Sequence, residues 1–116
     1  MMTAHASALP RRTRLIAVLV MGSDGATTLC PFFGKCDGIL LVDRGDGSHA
    51  FVPNDQRTAE ALCDLIHKSG ADHLVCGFIG EAEKRKLSAA GIDVRLGSCA
   101  CSIDELTDGF YDLPKA

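Results

Sequence analysis

Apolar residues along the chain fall into two alternating patterns: short unbroken runs, and longer stretches with a helical spacing. The run at 15–20 is continuous and includes β-branched residues, as in a strand buried on both faces of a sheet. Glycine, proline and charged residues typical of turns separate the runs. Five strands are predicted, at 15–20, 39–43, 48–52, 73–76 and 92–96. Three helices are predicted, at 56–69, at 81–90 and from Ser102 toward Phe110.

Local signals support these elements. Apolar residues recur at positions 59, 62, 63 and 66, which is the period of an amphipathic helix. Ser102 and Glu105 have the spacing of a capping box, which marks the start of the last helix. Asp46-Gly47 is a hairpin signal between the second and third strands. The predicted order is therefore β-β-β-α-β-α-β-α, as in an α/β fold.

Connection rules convert this order into a sheet. Helices precede and follow the strand at 73–76, so right-handed crossovers make the first, fourth and fifth strands parallel. The predicted five-stranded mixed sheet has the order 3-2-1-4-5, with helices packed on its faces. Ligands of open α/β sheets bind beyond the carboxyl ends of parallel strands. Here those ends are the 22–37 loop, the 76–80 turn and the 97–101 loop.

Most of the six cysteines stand at this edge. Their sulfur atoms suit iron, copper, zinc or a metal–sulfur cluster better than magnesium or calcium. Alternate residues of an extended chain point the same way, so Cys99 and Cys101 can face one ligand. We interpret Cys30, Cys36, Cys99 and Cys101 as candidate metal ligands, with simple packing as the alternative for each pair. Cys63, at a helical core position, and Cys76, at the end of a buried strand, are predicted to pack in the core.

The turn from Gly77 to Gly80 is the predicted floor of a cleft between the cysteine loops. Amides at the start of the following helix favour an anion, although turn geometry alone also explains the glycines. Lys35 is a candidate counter-charge for such an anion. A smaller set, Cys99 and Cys101 with one loop thiol, fits as well as all four. The 22–37 loop is expected to be the most mobile part of the domain after the N-terminal tail.

Composition narrows the function classes. The formal net charge is −3 and the sequence pI is about 5.7, without a basic stripe, which argues against nucleic acid as a partner. The longest apolar run, 15–21, is far shorter than the roughly 20 residues of a membrane span. Residues 1–13 lack the apolar stretch of a signal peptide and are interpreted as a disordered tail on a cytoplasmic protein. Residues 14–113 are predicted to form a single domain.

Five segments carry a resemblance to a known family: 14–18, 33–35, 69–80, 87–94 and 102–106. Over roughly residues 14–111 the chain resembles the dinitrogenase iron–molybdenum cofactor biosynthesis family of small, nitrogenase accessory factor-like proteins. The resemblance implies a ribonuclease-H-like, three-layer α/β fold. Family members often have a histidine immediately before the Phe-Gly pair, where this chain has Phe32, which points to cysteine as the donor.

The same resemblance implies a function. It is the binding or carrying of an iron–molybdenum cofactor precursor or related metal–sulfur cluster without catalysis, with cofactor-assembly proteins as partners; whether the cluster is held transiently stays open. Together with the loop argument, it makes these the candidate cofactor-binding residues: Cys30, Phe33, Gly34, Lys35, Cys36, Gly77, Gly80, Cys99 and Cys101.

Two other classes were weighed. A thiol-redox domain using paired cysteines is the alternative, although no Cys-x-x-Cys stands at a helix start, where a thiolate is usually activated. A ribonuclease-H-like nuclease needs clustered carboxylates to hold two metal ions, and the strand at 15–20 has none. On the binder hypothesis, replacing Cys99 and Cys101 by serine should abolish cluster uptake with little effect on thermal stability.

Overall fold

The apolar run at 15–20 is the central strand of the sheet in the computed structural model, which describes residues 15–22 and 27–116. The predicted tail at 1–13 and part of the 22–37 loop lie outside these residues. The strands are β1 (Leu15–Met21), β2 (Thr28–Leu29), β3 (Gly38–Asp43), β4 (His49–Pro53), β5 (His73–Cys76) and β6 (Asp93–Leu96). The helices are α1 (Ala59–Ser69), α2 (Glu81–Ala89), α3 (Ile103–Asp108) and a 3-10 turn (Phe110–Asp112).

One mixed sheet contains all six strands. The five longer strands lie in the order β4-β3-β1-β5-β6, and the short β2 pairs with β1. β1, β5 and β6 are parallel, as the crossover argument predicts, whereas β3 and β4 are antiparallel to their neighbours. The mixed α/β fold is confirmed, but a count of five strands was wrong. Thr28 and Leu29 pair with Met21 and Val20 inside the predicted loop, and two residues are too few to show a strand period.

Helices cover both faces of the sheet. Ala17 and Leu19 of β1 belong to a buried cluster that also contains residues of α1 and α2. Ile16, Val18 and Val20 point the other way and pack with Leu106 of α3 and Phe110. The alternation follows from the period of two residues in a strand. None of the described helices has the length and apolar character that a bilayer span requires.

The helix starts differ slightly from the predictions. α1 begins at Ala59 rather than at 56, because the Thr58 side chain accepts a hydrogen bond from the Ala61 amide and so caps the helix. The residue before it, Arg57, has a left-handed φ of 53° and cannot continue a helix. The Ser102–Glu105 capping box is present in both directions at the start of α3.

A buried arginine attaches the C-terminal residues to the sheet. Arg95 of β6 donates to both carboxylate oxygens of Asp93, at 2.8 and 3.1 Å, and to the carbonyls of Tyr111 and Leu113. Its guanidinium lies 5.2 Å from the centre of the Phe110 ring. Because Arg95 is only 8% exposed, the carboxylate of Asp93 is needed to neutralise its charge.

Replacing Asp93 by asparagine is expected to remove an acid-sensitive part of the stability. The hydrogen bond from Arg95 holds the pKa of Asp93 below its ordinary value of 3.8, so the contribution is complete above that pH and is lost as the pH falls through the lower pKa of the folded chain. Thermal unfolding at a series of pH values should show a deficit of about 1 kcal/mol at neutral pH that shrinks in acid. A deficit that is independent of pH would contradict this role of the carboxylate.

Candidate functional site

An open cavity of about 560 Å³ lies at the carboxyl edge of the sheet, where β5 leads into α2 and the loop before β3 crosses over it. Its size falls within the usual range for small-ligand sites. The lining is mainly apolar and includes one ammonium and one carboxylate. The lining residues are Phe32, Phe33, Lys35, Ala59, Phe78, Ile79, Gly80 and Glu83.

Backbone hydrogen bonds join the two sides of this cavity. The amide of Phe78 donates to the Pro31 carbonyl at 2.8 Å, and the amide of Phe33 donates to the Phe78 carbonyl at 3.2 Å. The rings of Phe32 and Phe78 stack with their centres 6.3 Å apart. They remain 57% and 72% exposed, which is unusual for large apolar side chains and marks this surface as a candidate binding surface.

Two glycines allow backbone segments around the cavity to approach each other closely. A Cβ atom on Gly77 would lie 2.7 Å from the Cα of Pro31 and 2.8 Å from its carbonyl oxygen. Gly34 has a φ of +88°, and a Cβ there would lie 3.2 Å from the Ala59 amide nitrogen. The backbone path that shapes the cavity therefore requires glycine at Gly34 and Gly77, two of the three predicted site glycines.

The first turn of α2 faces the cavity through Gly80. Gly80 is the N-cap of α2. Because glycine has no side chain, it cannot accept a hydrogen bond from the first amides of the helix. The Glu83 carboxylate lies against Gly80, where its charge competes with any anion at this helix end. Lys35, whose side chain is exposed, supplies the opposite charge on the other side of the cavity.

The predicted cysteine ligands are divided between the two faces of the sheet. Cys30 and Cys36 are buried in the cluster on the α1 and α2 side, whereas Cys101 packs against the cluster on the α3 side. Cys99 is exposed. Cys30 lies near enough to Cys36 and to Cys99 for electrostatic interaction. Cys63 and Cys76 are buried, as predicted.

No metal centre is formed by these side chains as they stand. Within residues 15–22 and 27–116, the structure contains no group of three or more histidine, cysteine, aspartate or glutamate side chains that could hold a metal ion. A four-cysteine site would require Cys101 to leave its packing on the α3 side and Cys30 and Cys36 to leave the core. The metal-ligand set Cys30, Cys36, Cys99 and Cys101 stays a prediction.

Burial also keeps several thiols protonated. Desolvation raises the pKa of Cys36 to about 11 and that of Cys76 to about 12. It raises the pKa of Cys30 as well, and its thiol donates to the Phe32 carbonyl at 3.3 Å. Because the thiolate is the reactive form, Cys30 and Cys36 are poorly suited to thiol-redox chemistry at neutral pH.

The sequence profile of a protein family described as dinitrogenase iron-molybdenum cofactor matches residues 14–112. The chain belongs to this family. The resemblance carried by the sequence motifs is thereby confirmed. Among curated proteins, none matches the chain.

Solved structures share the fold of this family member. The orange protein from Desulfovibrio gigas, solved in its apo form, is 28% identical, with a TM-score of 0.79 over 90% of this chain and 93% of that one. A Thermotoga protein of the DUF35 family is 19% identical, with a TM-score of 0.71 over 88% of this chain and 92% of that one. The match spans nearly the whole of each chain, so the cavity stands within the shared fold.

Sequence reasoning placed the 77–80 turn at the floor of the cleft, but it assigned no binding role to the side chains of Phe32, Phe78, Ile79 or Asn54 in the site of this family member. Phe78 and Ile79 lie between two glycines directly after a buried strand, and this was the available signal for an exposed apolar turn. Phe32 stands in the cysteine loop, where the thiols give the stronger chemical signal. Asn54 is 1% exposed and donates to the carbonyls of Gly34 and Cys36 in the cavity loop.

Proposed function

We propose that this chain binds and carries a metal–sulfur cluster, of the kind of an iron–molybdenum cofactor precursor, without catalysing a reaction. The observation that carries the proposal is the cavity of Phe32, Phe33, Lys35, Ile79 and Gly80 at the ligand-binding edge of a chain that belongs to an iron–molybdenum cofactor family. We also propose that the fold is ribonuclease-H-like and that the chain works together with cofactor-assembly proteins.

The chemistry of the cavity suits a large, soft anion. Phenylalanine and isoleucine side chains offer polarisable apolar contact to a sulfide surface, which is weakly hydrated compared with an oxyanion. The Lys35 ammonium offers charge, and the amides at the start of α2 offer hydrogen bonds once the anion displaces the Glu83 carboxylate from this helix end. A cluster that brings its own sulfides needs no protein thiolate, so this cavity could hold one with Cys30 and Cys36 still in the core.

The lining also supports a non-catalytic role. The cavity residues within the described part of the chain include no histidine, cysteine, serine or tyrosine. Lys35 and Glu83 come from opposite sides of the cavity, and no hydrogen-bonded nucleophile and base are present among its lining residues. Such a site suits reversible binding of a ligand better than catalysis.

Anaerobic binding measurements test the proposal. The purified chain is titrated with tetrathiomolybdate, a molybdenum–sulfur anion, and separately reconstituted with iron and sulfide. Equilibrium dialysis, metal and sulfide analysis and visible absorption then give the amount bound. We expect one binding event per chain and a visible spectrum that differs from that of the free anion. Absence of binding by both probes would refute the proposal.

Serine replacement of Cys99 and Cys101 separates the cavity from thiolate ligation. The sequence alone predicts that this double variant loses binding; if the cavity holds the anion, Cys99→Ser/Cys101→Ser should instead bind tetrathiomolybdate within about twofold of the parent. Stability should change by less than about 1 kcal/mol, because Cys99 is exposed and Cys101 is only partly buried. The measurements are the dissociation constant and thermal unfolding. Complete loss of binding by a folded double variant would instead identify these thiols as ligands.

A further inference from the structure

The cavity loop is held from behind by the connection between β4 and α1. Asn54 in that connection donates from Nδ2 to the Cys36 carbonyl at 3.1 Å and to the Gly34 carbonyl at 3.3 Å. Its backbone amide donates to the Asp37 carbonyl at 3.0 Å. Asn54 therefore bonds to three carbonyls of the 34–37 segment. This segment carries Lys35 and forms part of one wall of the cavity.

Arg57 reinforces the same attachment at its exposed end. Its guanidinium pairs with Asp37 at 2.6 Å and lies 3.4 Å from the Lys35 carbonyl. The other carboxylate oxygen of Asp37 accepts from the Gly22 amide at 2.7 Å, which links the segment to the end of β1. The carbonyls of Gly34, Lys35 and Cys36 are therefore bonded by side chains of the β4–α1 connection.

The second polar atom of Asn54 shows which way its side-chain amide faces. Its Oδ1 is buried and has no hydrogen-bond partner among the described residues. A buried acceptor without a partner is destabilising and needs an explanation. The two carbonyl contacts fix the amide with Nδ2 toward the loop, so the unpaired oxygen is the consequence of placing a double donor under Gly34 and Cys36.

We propose that Asn54 is a positioning residue of the cluster site: it holds the 34–36 backbone so that Phe33 and Lys35 line the cavity. This inference rests on the proposed function. Asn54 does not line the cavity, and it acts through the loop. Only a donor of this size serves, since an aspartate would set a carboxylate against two carbonyl oxygens, and a leucine would donate nothing.

The test compares Asn54→Asp with the parent chain, using tetrathiomolybdate as the probe. We expect the dissociation constant to rise about tenfold, which corresponds to the loss of one to two hydrogen bonds that order the loop. The visible circular dichroism of the bound probe should also change, because the probe then meets a displaced Lys35. A control variant, Leu106→Val on the α3 side, should lower the thermal midpoint while leaving affinity and dichroism unchanged.

A second variant keeps the test decisive if Asn54→Asp fails to fold. Arg57→Gln changes an exposed side chain that also holds the 34–37 segment. It should raise the dissociation constant about threefold, because the exposed ion pair with Asp37 contributes less than the buried hydrogen bonds of Asn54. Unchanged affinity and dichroism in the folded Asn54 variant, or in Arg57→Gln when the Asn54 variant does not fold, would overturn the inference. A parent chain that binds neither tetrathiomolybdate nor reconstituted iron and sulfide would instead overturn the proposed function.

Discussion

Replacing Gly77 by alanine is expected to destabilise the fold by about 3 kcal/mol, the upper end of the range for overpacking. The three atoms nearest to an added Cβ are the Cα and carbonyl oxygen of Pro31 and the carbonyl oxygen of Cys30. All three are backbone atoms and cannot move aside like the end of a flexible side chain. The hydrogen bonds between Phe78 and the Pro31–Phe33 segment should break first. Chemical denaturation gives the free energy, and amide hydrogen exchange at Phe33 and Phe78 reports the separation.

Gly70→Ala is the matched control. Gly70 ends α1 with a φ of +84°, but nothing lies within 4 Å of an added Cβ. Its replacement should cost only the strain of a left-handed residue, about 1 kcal/mol, and leave exchange at Phe33 and Phe78 unchanged. Equal losses in the two variants, with unaltered exchange at Phe78, would show that the close contact at Gly77 does not hold the cavity loop.

Removing both exposed aromatic rings is expected to cause the largest loss of binding. In Phe32→Ala/Phe78→Ala, affinity for tetrathiomolybdate should fall by roughly 10- to 100-fold, because the surface that the two rings still expose amounts to about one phenylalanine side chain, whose burial contributes about 1.5–3 kcal/mol. Thermal stability should change little, since the rings are 57% and 72% exposed in the free chain. Equilibrium dialysis and thermal unfolding of the same preparations measure the two effects.

Phe51→Ala controls for the general loss of an aromatic side chain. Phe51 is 37% exposed and lies on the edge strand β4, away from the cavity lining. Its ring occupies the space where a side chain on Gly38 would lie. Removal of the ring should therefore affect stability more than binding. Parent-like affinity in the Phe32/Phe78 double variant would contradict the assignment of the cavity as the binding site.

The fold could be predicted from the sequence because its main signals are periodic and local. The run of β1 and the spacing of Leu62, Cys63 and Ile66 in α1 place these residues in the core, where the structure has them. The hairpin and the crossovers follow from the order of the elements. β2 could not be predicted, since Thr28 and Leu29 are paired through contact with β1 and not through any pattern of their own.

The edge that carries the site was also predictable, but the roles of its side chains were not. Sequence position brought the cysteine loops to the carboxyl edge of the sheet, but it could not say which face each thiol joins. Cys30 and Cys101 belong to different clusters because β1 and its neighbours separate the two sides of the sheet. The contact of Asn54 with residues 18 and 20 positions earlier depends on tertiary packing and has no local signal.

The position of molybdenum in crystals of the chain soaked with tetrathiomolybdate tests the central claim most directly. Anomalous scattering at the molybdenum absorption edge locates the metal without assumptions about its ligands. The account predicts one peak in the cavity, in contact with the lining residues Phe32, Lys35, Phe78 and Gly80. A peak bound to the sulfur atoms of Cys99 and Cys101, with the cavity empty, would contradict it.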